Sequence, residues 1–139
     1  MKKILIVDDE KDVRGLLSMR LLASGFKVLE AGDGATALAL AKQERPDLIL
    51  LDIMMPGKDG VETYHALRKD PETSEIPVIF LTVLAQNLSL TKYSLDLDQC
   101  YAILGKPYEP QELLKEIQRA LGGAVTQSPP KGGKPEEGK

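Results

Sequence analysis

Cysteine occurs once in the 139-residue chain, at Cys100, so no disulfide can form within it. That fits a reducing compartment. Long apolar runs are also missing, which leaves nothing able to span a membrane. Met1-Lys2-Lys3 leads into only four apolar residues before Asp8, too few for a secretory leader. There is no excess of basic residues: 18 Lys and Arg stand against 21 Asp and Glu, and the net charge of -3 gives no nucleic-acid footprint. No phosphate-binding loop of the G-x-x-x-x-G-K-[ST] type is present. What remains is the expectation of a cytoplasmic chain with one folded domain. Its 42% hydrophobic and 28% charged residues are ordinary for such a domain and sufficient for a core.

The apolar runs that are present are short and alternate with helical patterns. "ILIV" (4–7), "FKVLEA" (26–31), "DLILL" (47–51), "IPVIFLT" (76–82) and "YAIL" (101–104) read as strands. Between the first two, Val13, Leu16, Leu17 and Leu21 recur near helical spacing, with Gly25 as a stop. "DGATALALAKQER" is a second helix ended by Pro46, and "GVETYHALRKD" a third stopped before Pro71. In "PQELLKEIQRAL", Pro110 suits the first helical position, and Leu113, Leu114, Ile117 and Leu121 form an apolar stripe. The segment 85–99 is rich in Asn, Ser, Thr and Asp, so a short, frayed or displaced helix is expected there. Near-continuous apolar strands alternating with helices predict a doubly wound α/β domain, a five-stranded parallel sheet with helices on both faces. The domain is expected over residues 1–121. Residues 122–139 hold five Gly and three Pro and cannot build a core, so they read as a disordered tail or linker stub.

In such folds ligands bind at the carboxyl ends of the strands. Asp52 stands there, directly after "LILL", and Asp8 and Asp9 follow "ILIV". If the first and third strands are neighbours, three carboxylates converge. At an effective dielectric near 20, each like-charged pair ~4 Å apart costs about 4 kcal/mol. A divalent cation resolves that repulsion, and oxygen-only ligands suit Mg²⁺. A carboxylate beside a metal is also a nucleophile toward a phosphoryl group. Thr82 ends the fourth strand with a hydroxyl, and Lys106 follows the fifth with a point charge.

Together "VDDE" (7–10), "LLDIMMPGKDG" (50–60), "VIFLT" (78–82) and "GKPY" (105–108) resemble the receiver domain of bacterial two-component response regulators, over roughly residues 3–121. The resemblance implies a flavodoxin-like strand order 2-1-3-4-5. It implies Asp52 as phosphoacceptor, attacking the phosphohistidine of a sensor histidine kinase or phosphotransfer protein. Mg²⁺ would be held by Asp9, Asp52 and the Met54 backbone carbonyl, with Asp8 acting through water. Thr82 and Lys106 would hold the phosphoryl oxygens, and the Lys106–Pro107 peptide would be cis. The chain would be a switch that assists its own phosphorylation and dephosphorylation, not an enzyme for metabolites. Its output would be an unidentified protein. No membrane or direct nucleic-acid contact is expected in this chain, and homodimerisation through the last helix stays open.

Competing readings are weaker. Asp8 and Asp9 alone could form a strand-end turn or a helix cap. "GDGATA" (32–37) fits G-x-G-x-x-A, but in the second βα unit, and it leaves Asp8, Asp9 and Lys106 unexplained. Gly32 and Gly34 more simply make a turn, with Asp33 as a cap. A D-x-D phosphatase lacks its second Asp, since residue 54 is Met. His65 reads as a solvated side chain in a charged helix, and Cys100 as a small buried residue. Departures from the family pattern lie on the output side: Val83 replaces a small residue, and Ile103 stands where a switch aromatic is usual, with Tyr101 two residues earlier. These motivate an alternative, a receiver-like interaction module that acts independently of phosphorylation. Met54 and Leu84, at the positions that tune attack by water in the family, are both apolar. Slow autodephosphorylation is expected, with Met54→Asn and Leu84→Glu each hydrolysing the acyl phosphate faster than wild type in a phosphate-release assay.

Overall fold

A computed structural model describes residues 1–52, 60–82, 102–105 and 108–122. The elements are β1 (Lys3–Val7), α1 (Lys11–Ala23), β2 (Lys27–Ala31), α2 (Gly34–Glu44), β3 (Leu48–Asp52), α3 (Gly60–Lys69), β4 (Val78–Thr82), β5 (Ala102–Gly105) and α4 (Pro110–Ala120). The strands form one sheet in the order β2-β1-β3-β4-β5, and every pairing is parallel. The expected α/β architecture and strand order are therefore those of the protein. Segments 53–59, 83–101, 106–107 and 123–139 lie outside the described residues. They include the helix expected within 85–99, Cys100 and the Gly/Pro-rich tail.

Alternation along the central strands explains why both sheet faces are covered. Leu5 and Val7 of β1, Ile49 and Leu51 of β3, and Val78 and Phe80 of β4 point into one core. Ala37 and Ala41 of α2 and Val61, Tyr64 and Leu67 of α3 close that core. The intervening residues Ile4, Ile6, Leu48, Leu50, Ile79 and Leu81 point into the opposite core. Leu17 and Leu21 of α1 and Leu113 and Ile117 of α4 close it. Period-two side chains on strands buried from both sides leave no solvent face, hence the near-continuous apolar runs. β2 is the exception: it lies at the edge, and Lys27 and Glu30 are exposed.

Helix boundaries follow local chemistry. Ser24 ends α1, and Gly25 takes the left-handed φ of 94° that turns the chain into β2. Asp33 caps α2, its Oδ1 accepting from the Thr36 amide at 2.8 Å. Arg45 ends α2 in the left-handed region at φ 48°, and Pro46, which disfavours the right-handed helical region for the residue before it, follows. Pro110 opens α4. Along α1 the apolar pattern divides: Leu17 and Leu21 are buried, while Leu16, Met19 and Leu22 face outward. His65 is half-buried rather than solvated, its ring centroid 5.9 Å from that of Tyr64. No described helix is long and apolar enough to cross a membrane.

The α2 cap has a pH signature. Hydrogen bonds from Thr36, and from the Ala35 amide, hold the Asp33 carboxyl below its ordinary value of 3.8. A lowered folded value means that the ionised cap stabilises above the unfolded value and loses that contribution as pH falls through the folded one. Asp33→Ala should lower the melting temperature at pH 7. The gap to wild type should narrow as a pH series of thermal melts descends below 3.8.

Candidate functional site

Strand register brings the acidic residues together. Val7 of β1 is level with Leu51 of β3, so Asp8 and Asp52 are the next residues along neighbouring parallel strands. Asp8 is 3% exposed and Asp52 8% exposed, while Asp9 faces solvent. Carboxylate oxygens of Asp8, Asp9 and Asp52 lie within 4.8 Å of one another. Three acceptors at that spacing repel unless a cation or proton intervenes. An oxygen-only donor set with one member open to solvent fits a hard divalent cation that keeps some of its water, as Mg²⁺ does.

The turn between β1 and α1 is held from several directions. The Asp8 amide donates to the Ala31 carbonyl at 3.1 Å, continuing the β1–β2 pairing past the strand. Asp8 Oδ1 accepts from the Glu10 amide at 2.9 Å, so the turn reading of this residue and the acidic-cluster reading both hold. Glu10 occupies the N-cap of α1 without a side-chain cap bond. The Asp8 carbonyl accepts from Arg14 Nη1 at 2.8 Å. Arg14 Nε reaches Glu30 Oε1 at 3.1 Å, and Ser18 Oγ donates to Glu30 Oε2 at 2.7 Å. Arg14, Ser18 and Glu30 were not singled out by motif. Their one sequence signal is spacing: Arg14 and Ser18 are four apart on α1, one above the other.

The other site residues divide by position. Thr82 is the last residue of β4 and pairs with Gly105 of β5, one step beyond the level of Asp52 and Leu81. The backbones of β3, β4 and β5 thus end at the same edge as β1. Ile103 sits within β5, paired with Phe80. Lys106, Pro107, Met54, Val83 and Tyr101 lie outside the described residues. Gly32 makes no dinucleotide loop: a Cβ there would stand 3.0 Å from Arg14 Nη1, so the glycine leaves room for the guanidinium. Gly34 is already the first residue of α2.

A parallel sheet in the order 2-1-3-4-5, with a carboxylate cluster at the ends of its central strands, defines a flavodoxin-like α/β domain with an acidic strand-end site. The response regulator receiver domain matches residues 4–118, and the chain belongs to that family. Protein PilH of Pseudomonas aeruginosa is 41% identical over 123 residues, covering 88% of this chain and 100% of that protein. The probable transcriptional regulator ycf27 of Porphyridium aerugineum is 40% identical over 121 residues, covering 86% of this chain and 48% of the relative. The chain thus spans about half the length of the ycf27 protein it matches. Among solved structures, it superposes with a TM-score of 0.76 on the receiver domain of the sensor histidine kinase PA1611 from Pseudomonas aeruginosa, at 28% identity. That match covers 87% of this chain and 98% of the other, whose active-site cleft coordinates a magnesium ion.

The converged charges generate a prediction. Asp9→Asn removes one of three mutually repelling carboxylates, so in EDTA the variant should melt a few degrees above wild type. Adding Mg²⁺ should raise the melting temperature of wild type and not that of Asp9→Asn, because ligand binding to the folded state alone stabilises it. Differential scanning fluorimetry across a Mg²⁺ series reads both.

Proposed function

We propose that this receiver domain is a phosphorylation-dependent switch of a two-component phosphorelay, accepting a phosphoryl group on Asp52 in the presence of Mg²⁺. The observation that carries the reading is the placement of the buried Asp52 carboxylate within 4.8 Å of the Asp8 and Asp9 carboxylates.

In the step proposed, an Asp52 carboxylate oxygen attacks the phosphorus of a phosphohistidine. An O–P bond forms, the P–N bond breaks, and the imidazole leaves with the electron pair. Asp9 and Asp52, with Asp8 through water, would hold Mg²⁺, and the Met54 carbonyl is assigned to the same set by family resemblance. When bound, the ion would offset the negative charge of the phosphoryl oxygens. Thr82 and Lys106 would hold those oxygens by hydrogen bonding and charge. Burial of Asp52 limits its conformers and excludes bulk water from one side, so the nucleophile is oriented before the donor arrives. The donor is a sensor histidine kinase or phosphotransfer protein, the setting is cytoplasmic, and the product is a changed protein surface rather than a released metabolite. Phosphorylation would shift a pre-existing equilibrium in residues 83–108, which lead from the end of β4 to α4.

Incubation with acetyl phosphate followed by intact-mass measurement tests this reading. Wild type should gain one phosphoryl group in Mg²⁺ and none in EDTA, and Asp52→Ala should gain none in either. Wild type that gains nothing, together with a partner pull-down unaffected by Asp52→Ala, would instead favour the phosphorylation-independent interaction module that Val83 and Ile103 suggest.

A further inference from the structure

We infer that Arg14 is a positioning residue for divalent-cation binding, fixing the Asp8–Asp9 peptide from behind while Glu30 balances its charge. The inference rests on the reading of Asp8, Asp9 and Asp52 as a Mg²⁺ site and adds to it Arg14, Glu30, Ser18 and Gly32, which lie outside the carboxylate cluster.

Arg14 Nη1 donates to the Asp8 carbonyl at 2.8 Å. That carbonyl belongs to the peptide unit that also carries the Asp9 amide. The unit is planar, so holding its oxygen fixes the plane up to the Asp9 Cα. The Asp8 amide is held by Ala31, and Asp8 Oδ1 by the Glu10 amide. Arg14 therefore adds a further backbone tether to the turn that presents Asp9. Such a tether matters because Asp9 is exposed and its carboxylate is repelled by its two buried neighbours. Without it, the Asp9 peptide can rotate and carry the carboxylate into solvent, away from the geometry a small cation requires.

A guanidinium behind the cluster has an opposite effect as well. Its charge repels a cation approaching the front. Glu30 removes that penalty: its Oε1 pairs with Arg14 Nε at 3.1 Å, and its Oε2 is fixed by Ser18 Oγ at 2.7 Å. The Arg14 side chain is 17% exposed and that of Glu30 38%, so the pair is shielded from solvent on the arginine side only. The planar fork lets one side chain serve the carbonyl and the carboxylate together, which a lysine ammonium cannot do in the same geometry. Gly32 belongs to the same device, since a Cβ at that position would press on Nη1 at 3.0 Å.

A purely structural role, stitching α1 to the end of β2, predicts a different result. The discriminating experiment is a Mg²⁺ titration of the full chain followed by two-dimensional NMR, paired with thermal melts in EDTA. Arg14→Ala and Glu30→Gln should each weaken Mg²⁺ binding, Arg14→Ala by about tenfold, the lower end for groups that orient metal ligands. The Arg14→Ala/Glu30→Gln double variant should bind no more weakly than Arg14→Ala alone, because Glu30 acts only through Arg14. A fall in melting temperature with Mg²⁺ affinity unchanged in both single variants would overturn the inference. Should Arg14→Ala not fold, unchanged affinity in Glu30→Gln alone would overturn it. Wild type that takes up no Mg²⁺ would overturn the site reading itself, whereas wild-type binding with unaffected variants would overturn only the role of Arg14.

Discussion

Parallel pairing of β1 with β3 carries Asp8 and Asp52 to the same edge of the sheet, with both carboxylates buried. Two negative groups taken out of water side by side are costly unless something compensates. That repulsion organises the surrounding chain. It explains the open side at Asp9, where a hydrated cation can enter. It also gives the hydrogen bonds that tie down the β1–α1 turn a purpose, since a loosely held turn would relax by swinging its acidic residues apart.

The cost is sustained by the cores on either side of the sheet. Central strands packed against α2 and α3 on one face and α1 and α4 on the other cannot shift register without turning every side chain to the wrong face. The site therefore sits at the ends of strands whose positions are set by apolar packing and not by the carboxylates themselves. Charge repulsion at the acidic edge and apolar packing in the layers are thus separated in space.

The Arg14–Glu30–Ser18 chain extends the same logic outward. It joins α1 and the edge strand β2 to the acidic turn through two side chains of opposite charge. β2 contributes none of the clustered carboxylates. Its contribution is instead the Ala31 carbonyl, Gly32 and Glu30, all of which act on the turn that follows β1.

Much of this was legible in the residues. Apolar runs separated by helical patterns, with Gly25, Pro46 and Pro71 as stops, determined the α/β class and most element boundaries, because period and punctuation are local properties. Acidic residues placed directly after two apolar runs determined the candidate chemistry for the same reason. Asp33 was readable as a cap from its place before a helix. Only the tertiary structure decided that Leu16 faces outward while Leu17 is buried, since both fit the helical period and only contact with the sheet selects between them. It alone placed His65 beside Tyr64, and made Gly32 a neighbour of Arg14 rather than part of a nucleotide loop. The hydrogen bonds from Arg14 to Asp8 and Glu30 span 6 and 16 residues. Contacts of that kind depend on which strands pair and on the register they adopt, and no local pattern in the chain records them.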